Sequence, residues 1–249
     1  MIRSMYMDER GALTKDLTPA QIAQAVAGRQ GLLWIDIEST GREDGALLTD
    51  VFRFHPLTIE DCYGVVQNPN IDEYEGYIFA VVHGVRADGA LHEVQTVELD
   101  FYVGPNYLVT FHMDPVPSVA EIWQRCEEQP ERPHRGLDFL LHSILDRMAN
   151  RYIPVVDDLG EALDALEREA LENPSRSVLL RILQVKRSIL DLRRVASPQR
   201  DVLLRFARDP FPFIRPETRV YFADVRDLMD RTARVIESHV SLAEGALTV

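Results

Sequence analysis

The chain has 249 residues and a formal net charge of -13, which comes from 40 acidic and 27 basic side chains. This charge excludes a protein that binds nucleic acid through backbone phosphates, because such binding needs a basic face. Hydrophobic residues make up 46% of the sequence and charged residues 27%, which is typical of a folded chain and not of a disordered one.

The excess of acidic side chains lies in the first part of the chain. Residues 1–134 hold 22 acidic and 9 basic side chains, whereas residues 135–249 hold 18 of each. Cys62 and Cys126 are far apart and form no Cys-x-x-Cys pair, so they indicate neither a disulfide framework nor a zinc site. The longest stretch without charge, 101–113, is too short to span a membrane. We therefore expect the chain as given to be soluble and cytoplasmic.

Short helices and strands alternate up to about residue 132. Thr18-Pro19 predicts a helix start, with the hydroxyl as cap and proline in the first turn. The apolar run 32–37 predicts a buried strand, and a second helix follows over 47–52. Further strands are predicted within 74–85, 94–103 and 107–111, with hairpin-type breaks at 86–89 and 104–106. The pattern predicts an α/β (α+β) fold in which a mixed β-sheet, with an antiparallel meander, is layered with helices.

The strand signal disappears after His134, and three long helical segments follow. Apolar residues spaced three and four apart predict a long antiparallel helical hairpin over 136–196, because Asn173-Pro174-Ser175 ends one helix and caps the next. Pro154 should kink the first of these helices. We expect a connecting helix over 198–208 and a long stalk helix from about 216. That helix has no stop signal before residue 249, which suggests that the natural protein continues.

This pattern divides the chain into an acidic α/β/α domain over 1–134 and a helical domain over 135–249.

Glu60 and Asp61 stand together on a short predicted helix. Adjacent carboxylates point about 100° apart on a helix, so they make a poor catalytic dyad. They can, however, offer oxygen ligands to a hard cation that is shared with another surface. The alternative interpretation is an ordinary solvated helix face.

Acidic residues also recur every three positions on the stalk helix, at Asp224, Asp227 and Asp230. Like charges at this spacing repel unless a cation or the nearby arginines offset them, so both metal binding and intrahelical pairing remain open. Glu161 and Asp164 on the hairpin have the same ambiguity.

No motif for enzymatic chemistry is present. The sequence contains no phosphate-binding loop, dinucleotide-binding turn or nucleophile elbow, and we predict no catalytic residues. A metal-dependent hydrolase that uses Asp36, Glu60 and Asp61 ranks lowest, because no nucleophile or base accompanies these acids.

Five stretches of the chain, taken in order, resemble the cytoplasmic part of the CorA family of divalent metal (magnesium and cobalt) ion channels, including its zinc-transporting ZntB-like branch. They are LWIDI at 33–37, FHPLTIED at 54–61, IDEYEGYIF at 71–79, FYVGPNYLVT at 101–110 and YFADVRD at 221–227. Each motif is weak alone, but the ordered series is specific.

The resemblance implies an α/β/α domain, a helix pair and a stalk helix that continues into two membrane spans beyond residue 249. It implies a homopentamer at the cytoplasmic face of the membrane, in which a divalent ion lies between Glu60-Asp61 and Asp224 of a neighbouring subunit. Mg²⁺ is the expected regulatory ligand, with Co²⁺ or Zn²⁺ as alternatives, and high internal metal closes the pore. Glu161, Asp164 and Asp227 are additional metal or interface candidates.

One departure from this family pattern concerns the segment after the acid pair. Many relatives carry a basic Gln-Arg-Pro-Lys segment where this chain has Gln67-Asn68-Pro69-Asn70, which makes the site more negative. Two alternative functions stay open: a ZntB-like zinc transporter domain, and a soluble coiled-coil interaction protein without metal dependence.

Overall fold

The computed structural model of the chain describes residues 1–39, 41, 45–64, 68–88, 93–129 and 135–246. Its strands are β1 (Ile2–Met7), β2 (Leu13–Lys15), β3 (Leu32–Glu38), β4 (Asn70–Tyr74), β5 (Tyr77–Asp88), β6 (Glu93–Val103) and β7 (Tyr107–His112). Its helices are α1 (Pro19–Gly28), α2 (Pro56–Cys62), α3 (Pro117–Glu128), α4 (Leu137–Glu172), α5 (Arg176–Arg208) and α6 (Pro216–Ala246). A short π-helical turn, Leu47–Val51, lies between β3 and α2.

The strands form one mixed sheet in the order β2-β1-β3-β7-β6-β5-β4. β3 and β7 run parallel, and the other described neighbours are antiparallel. β5, β6 and β7 form the antiparallel meander that the sequence predicts, and the fold class is confirmed. β4 adds a further antiparallel strand that the sequence pattern did not reveal.

Helices cover both faces of this sheet. Ile35, Phe79 and Tyr102 belong to a hydrophobic core that they share with α1 and α2. Their sequence neighbours, such as Trp34 and Phe101, belong to a second core with α3 to α6, since side chains alternate between the faces of a strand. We call these two sides of the sheet the α2 face and the bundle face.

The antiparallel hairpin of α4 and α5 matches the predicted one closely. α4 ends at Glu172, and the Ser175 side chain caps α5 by accepting a hydrogen bond from the Val178 amide. The helix-breaking segment predicted at 173–175 is therefore confirmed. The core on the bundle face contains residues from both sides of position 134, so the helical part packs directly on the sheet.

The separate connecting helix expected over 198–208 is wrong. These residues form the C-terminal part of α5, which continues through Pro198. Val195, Ala196, Gln199 and Val202 are buried around the proline, and this tertiary packing holds the helix together despite the missing backbone donor.

Other local features also differ from the sequence-based expectations. β1 and β2 are strands that the sequence pattern did not reveal, and the helix expected over 47–52 is only the short π-helical turn. The break expected at 86–89 lies within β5 up to Asp88, while residue 89 lies outside the described residues.

A buried glutamine on α5 joins the bundle to the sheet. The side chain of Gln199 accepts a hydrogen bond from the His83 amide and donates one to the His83 carbonyl, at 2.6 and 3.0 Å. The Tyr152 hydroxyl on α4 donates to the same carbonyl at 2.9 Å. These bonds satisfy β5 at a point that β4 does not reach, because β4 pairs with β5 only as far as Val81.

A buried carboxylate ties α6 to the start of α4. Asp138 is 3% exposed and accepts hydrogen bonds from the Arg215 guanidinium and amide and from the Thr218 hydroxyl. Burial alone would raise its pKa, but the bonds from Arg215 and Thr218 outweigh it, and the pKa of Asp138 lies below its ordinary value. The ionised carboxylate therefore stabilises the folded chain.

We expect Asp138→Asn to lower the free energy of unfolding at pH 7 by about 2 kcal/mol, because hydrogen bonds to a charged group are lost. Since the folded pKa of Asp138 is depressed, its contribution is present above the unfolded value and disappears as the pH falls through the folded pKa. Urea unfolding should show that the difference in the free energy of unfolding between variant and parent becomes smaller below about pH 4. Glu217→Gln, at the exposed partner of Arg215, is the control and should change stability by less than about 0.5 kcal/mol. An Asp138→Asn effect that does not vary with pH would contradict this account.

Gly160 on α4 gives room to a histidine of α6. A Cβ at position 160 would lie 2.6 Å from Cε1 of His239. Both ring nitrogens of His239 are buried and have no hydrogen-bond partner in the described part of the chain. The close contact between α4 and α6 thus depends on the glycine at position 160, which has no side chain.

We expect the sign of the Gly160→Ala effect to depend on residue 239. In the parent chain the added methyl group meets the imidazole, and the variant should be about 1 kcal/mol less stable. In a His239→Ala background the same change should stabilise by up to about 1 kcal/mol, because alanine favours a helix over glycine. A double-mutant cycle from chemical unfolding measures this coupling, and equal effects in both backgrounds would show that the contact is unimportant.

Candidate functional site

The helix that carries the predicted acid pair is fixed on the α2 face by its flanking residues. Phe54 stacks on Tyr102 with 3.9 Å between ring centroids. Cys62 is buried, and its Sγ lies 3.2 Å from the Tyr102 hydroxyl. His55 caps the helix, because its Nδ1 accepts a hydrogen bond from the Leu57 amide. These contacts leave Glu60 exposed and Asp61 partly exposed.

The surroundings of the acid pair are negative. Burial raises the pKa of Asp61, and the neighbouring charges of Glu60 and Asp72 raise it further. Neither acid of the pair forms an ion pair within the described residues. Uncompensated carboxylates favour a cation, and their oxygens are the ligands that Mg²⁺ prefers.

A second acid lies in the sheet beneath this helix. Asp100 on β6 is 1% exposed, and its Oδ1 has no hydrogen-bond partner in the described residues. Burial raises the pKa of Asp100 well above its usual range, and the charges of Glu98 and Asp61 act in the same direction. Asp100 therefore favours its neutral form and adds little negative charge to the pair above it.

The three aspartates of α6 differ in their partners. Asp227 pairs with Arg226 at 2.5 Å, and Asp230 pairs with Arg234 and with Arg200. Asp224 is exposed and makes no ion pair within the described chain. The intrahelical pairing that the sequence left open thus applies to Asp227 and Asp230 and leaves Asp224 available. Glu161 and Asp164 are also exposed on α4 without an ion pair to a described residue.

One chain does not bring the predicted ligands together. Glu60 and Asp61 lie on the α2 face of the sheet, whereas Asp224 belongs to a helix packed on the bundle face. Among the described residues, no three His, Cys, Asp or Glu side chains converge closely enough to hold a metal ion. A site that joins the acid pair to Asp224 therefore needs a second copy of the chain.

Two residues of α4, His142 and Asp146, were not among the candidates predicted from the sequence. His142 and Asp146 lie one turn apart on α4, and the His142 ring contacts Tyr221 of α6 with 5.4 Å between centroids. Burial lowers the pKa of His142, while the charges of Asp146 and Asp224 act in the opposite direction. The spacing of 142 and 146 was a visible signal, but the sequence alone did not show that this face of α4 meets α6.

Asp36 plays a structural role on the other side of the sheet from the acid pair. It is 1% exposed and is bonded to Arg3, to the Thr110 hydroxyl and to His112. It alternates with Ile35 and Ile37 of the α2 face and so points to the bundle face. The hydrolase interpretation, which places Asp36 beside Glu60 and Asp61, is wrong.

Comparison with known proteins identifies the family. The model of the family described as "CorA-like Mg2+ transporter protein" matches residues 29–247. This chain belongs to the CorA-like Mg²⁺ transporter family. All five motifs that carry the resemblance fall inside the matched range.

Two relatives and one solved structure show how similar this CorA-like chain is to known proteins. The putative metal ion transporter YfjQ of Bacillus subtilis is 30% identical over 206 residues, which cover 83% of this chain and 63% of the relative. The cobalt/magnesium transport protein CorA of Thermotoga maritima is 30% identical over 223 residues, covering 87% and 62%. The soluble domain of CorA from Methanocaldococcus jannaschii has the same fold, with a TM-score of 0.81 at 19% identity, and the match covers 100% of this chain and 96% of that domain.

The CorA-like chain thus spans about three fifths of the length of these two relatives. Within the residues that the structure covers, none of the helices has both the length and the apolar character that crossing a membrane requires.

We expect Glu60→Gln and Asp72→Asn each to lower the pKa of Asp61, because each change removes a negative neighbour. Carboxyl ¹³C chemical shifts followed against pH measure this value directly. Glu73→Gln is the matched control, since residues 72 and 73 point to opposite faces of β4. A pKa of Asp61 that responds equally to all three changes would contradict the proposed negative cluster.

Proposed function

We propose that this chain is the cytoplasmic, metal-sensing part of a CorA-family divalent-cation channel. A divalent ion, Mg²⁺ or Co²⁺, bridges Glu60 and Asp61 of one subunit to Asp224 of a neighbouring subunit and so favours the closed pore. The full-length protein is attached to the membrane through residues beyond 249. It is a transport protein and not an enzyme.

The observation that carries this proposal is the contrast in ion pairing on the two layers of the fold. Glu60 and Asp61 face solvent on one layer and Asp224 on the other, each without a counter-charge from a described residue. Acids that are less exposed, such as Asp138 and Glu121, are neutralised by arginines, whereas Glu161 and Asp164 are exposed and, within the described chain, unpaired like these three. A divalent ion supplies the missing positive charge when two subunits meet.

The energy of such a bridge is sufficient for regulation. Two carboxylates about 4 Å apart repel by about 1 kcal/mol in water and by up to about 4 kcal/mol at an effective dielectric constant of 20. A bound divalent ion turns this repulsion into attraction. Because the ion binds one arrangement of subunits better than another, it shifts their equilibrium, and a ring of such sites multiplies the effect.

A partly exposed stripe of α6 supports self-association. Tyr221, Leu228, Val235 and Leu242 recur every seven residues, and all but the partly buried Leu228 are 40% to 45% exposed. A stripe with this period is typical of helices that pack along one another. Asp224 lies on the same stripe, between Tyr221 and Leu228. A second copy packed there would bring its residues to Asp224.

The assignment of transport is based on the names of the relatives. The relative from Thermotoga maritima is a cobalt/magnesium transport protein, and this chain covers 62% of it. We accordingly assign transport to the full-length protein and metal sensing to the residues of this chain. A homopentamer is the expected assembly.

We expect Mg²⁺ or Co²⁺ to stabilise the parent chain and to increase its mass in solution. At an ion concentration about 100 times the dissociation constant, binding contributes about 2.7 kcal/mol, which corresponds to a rise in melting temperature of roughly 5 to 10 °C. Thermal unfolding and analytical ultracentrifugation, with metal and with chelator, measure both effects. Asp61→Asn and Asp224→Asn should each abolish them.

Asp230→Asn is the control for charge on α6, since Asp230 is already paired with Arg234 and Arg200. It should keep the metal response of the parent. If the Asp61 and Asp224 variants also keep it, the bridge is wrong, and a chain that associates without any metal dependence would favour the coiled-coil interaction protein. A response to Zn²⁺ alone would favour the zinc transporter domain.

A further inference from the structure

We propose that the cavity between α3 and α4 binds a small organic phosphate, whose phosphate group contacts Arg125 and Arg135. This inference goes beyond the proposed function, because it gives the chain a second ligand of opposite charge to a metal ion. The residues that line the cavity do not include Glu60, Asp61 or Asp224. The two sites are therefore separate, and each can be tested alone.

The first step is the size and the apolar wall of the cavity. Its volume is about 400 Å³, which falls within the range of about 300 to 1,000 Å³ that is common for small-molecule sites. Ile122 and Cys126 of α3 and Leu140 of α4 are buried residues on its wall. Small-molecule sites combine such a wall with a few polar groups, so the cavity suits a ligand with an apolar part.

The second step is the charge on the wall. The wall carries three guanidinium groups and one carboxylate, which belong to Arg125, Arg135, Arg147 and Asp146. Arg147 shares the carboxylate of Glu121 with Arg151, so one acid faces two bases there. The cavity is thus positive in a chain whose net charge is -13. A positive cavity attracts an anion and repels a cation.

The third step is the availability of two of these arginines. Arg125 is exposed, and neither Arg125 nor Arg135 forms an ion pair with another described residue. The guanidinium carbon of Arg135 lies 3.3 Å from the ring centre of Phe139. This contact uses the face of the guanidinium, so the N–H groups on its edge can still donate to oxygen atoms.

The fourth step is the choice among anions. Arginine binds phosphate oxygens through two parallel hydrogen bonds, and one phosphate group has enough oxygens for two arginines. A phosphate monoester carries nearly two negative charges at pH 7, which two unpaired guanidinium groups can balance. Burial lowers the pKa of His142, so its ring on the wall is neutral at this pH and adds no charge. A small cavity on an acidic chain excludes a nucleic acid.

The cavity also lies next to the junction of α4 and α6. The backbone carbonyl of Arg135 accepts a hydrogen bond from the Arg215 guanidinium, and the Arg135 guanidinium carbon lies 5.8 Å from the ring centre of Tyr221. A ligand that contacts Arg135 therefore changes the surroundings of Tyr221 as well.

The test is a titration with phenyl phosphate, which carries a phosphate monoester on a small apolar ring. Isothermal titration of the parent chain should show saturable binding that is at least about 3-fold tighter than that of inorganic phosphate, since the ring adds apolar contact. Arg125→Gln and Arg135→Gln should each weaken binding of phenyl phosphate about 10-fold, because a hydrogen bond between charged groups is lost. Arg125→Lys keeps the charge and should weaken it less.

Arg168→Gln is the matched control. Arg168 is also an exposed arginine without an ion pair among the residues described, and it lies on α4 about 30 Å along the helix from Arg147. The control removes the same charge from the chain as Arg125→Gln does. It should change the affinity for phenyl phosphate less than about 2-fold.

Nuclear magnetic resonance of the parent chain gives a second readout, which does not depend on the folding of any variant. Phenyl phosphate should shift the methyl signals of Ile122 and Leu140 and the ring signals of Tyr221, all with the dissociation constant found by calorimetry. Vesicles that contain phosphatidic acid present the same phosphate group in a membrane. They should not compete with phenyl phosphate, and competition would overturn the assignment to a small soluble ligand.

Three other results would overturn the proposal. The first is the absence of saturable heat and of methyl shifts in the parent chain at 10 mM phenyl phosphate, a concentration of roughly the weakest binding that calorimetry resolves. The second is a loss of affinity in Arg168→Gln as large as that in Arg125→Gln, which would show that only the overall charge matters. The third is binding of phenol as tight as that of phenyl phosphate, which would show an apolar cavity without a phosphate site.

Discussion

Burial of both faces of one sheet is the constraint on which the other features depend. Strands β3, β5, β6 and β7 carry apolar side chains on both sides, so helices must cover each face. This requirement places α2 in one layer and α6 in another, with the sheet between them. The acid pair and Asp224 are thereby kept apart within one chain.

Electrostatics then distinguishes structural acids from available ones. Asp36 and Asp138 are almost fully buried, and arginine, histidine or hydroxyl partners stabilise their ionised forms. Burial raises the pKa of Asp61 and like charges raise it further, and Asp224 makes no ion pair within the described chain. Net charge alone could not make this distinction, because both kinds of acid contribute equally to the total.

The sequence predicted the elements whose signals are local. The cap at Thr18, the break at 173–175 and the antiparallel meander depend on turn chemistry and hydrophobic period, and the structure contains all three. β1 was not predicted because it is stabilised by pairing with β3. α5 continues through Pro198 because tertiary packing outweighs the tendency of proline to end a helix. These outcomes depend on contacts between distant residues.

The candidate site, too, could be predicted from the sequence only in part. Motif resemblance selected Glu60, Asp61 and Asp224 from 40 acidic residues. The partners of Asp227 and Asp230, and the placement of His142 against Tyr221, required the packing of α4, α5 and α6 to be known.

The side chain of Gln199 also limits the association of different copies of the chain through the edges of their sheets. Among the described residues, no strand pairs with this side of β5 beyond Val81, so its backbone groups could bond to the edge of another strand. The amide side chain of Gln199 occupies the amide and the carbonyl of His83 and so acts as a one-residue substitute for that strand. The edge is closed to strand addition at this position, and Gln199, together with the Tyr152 hydroxyl, opposes aggregation through continuous sheets there.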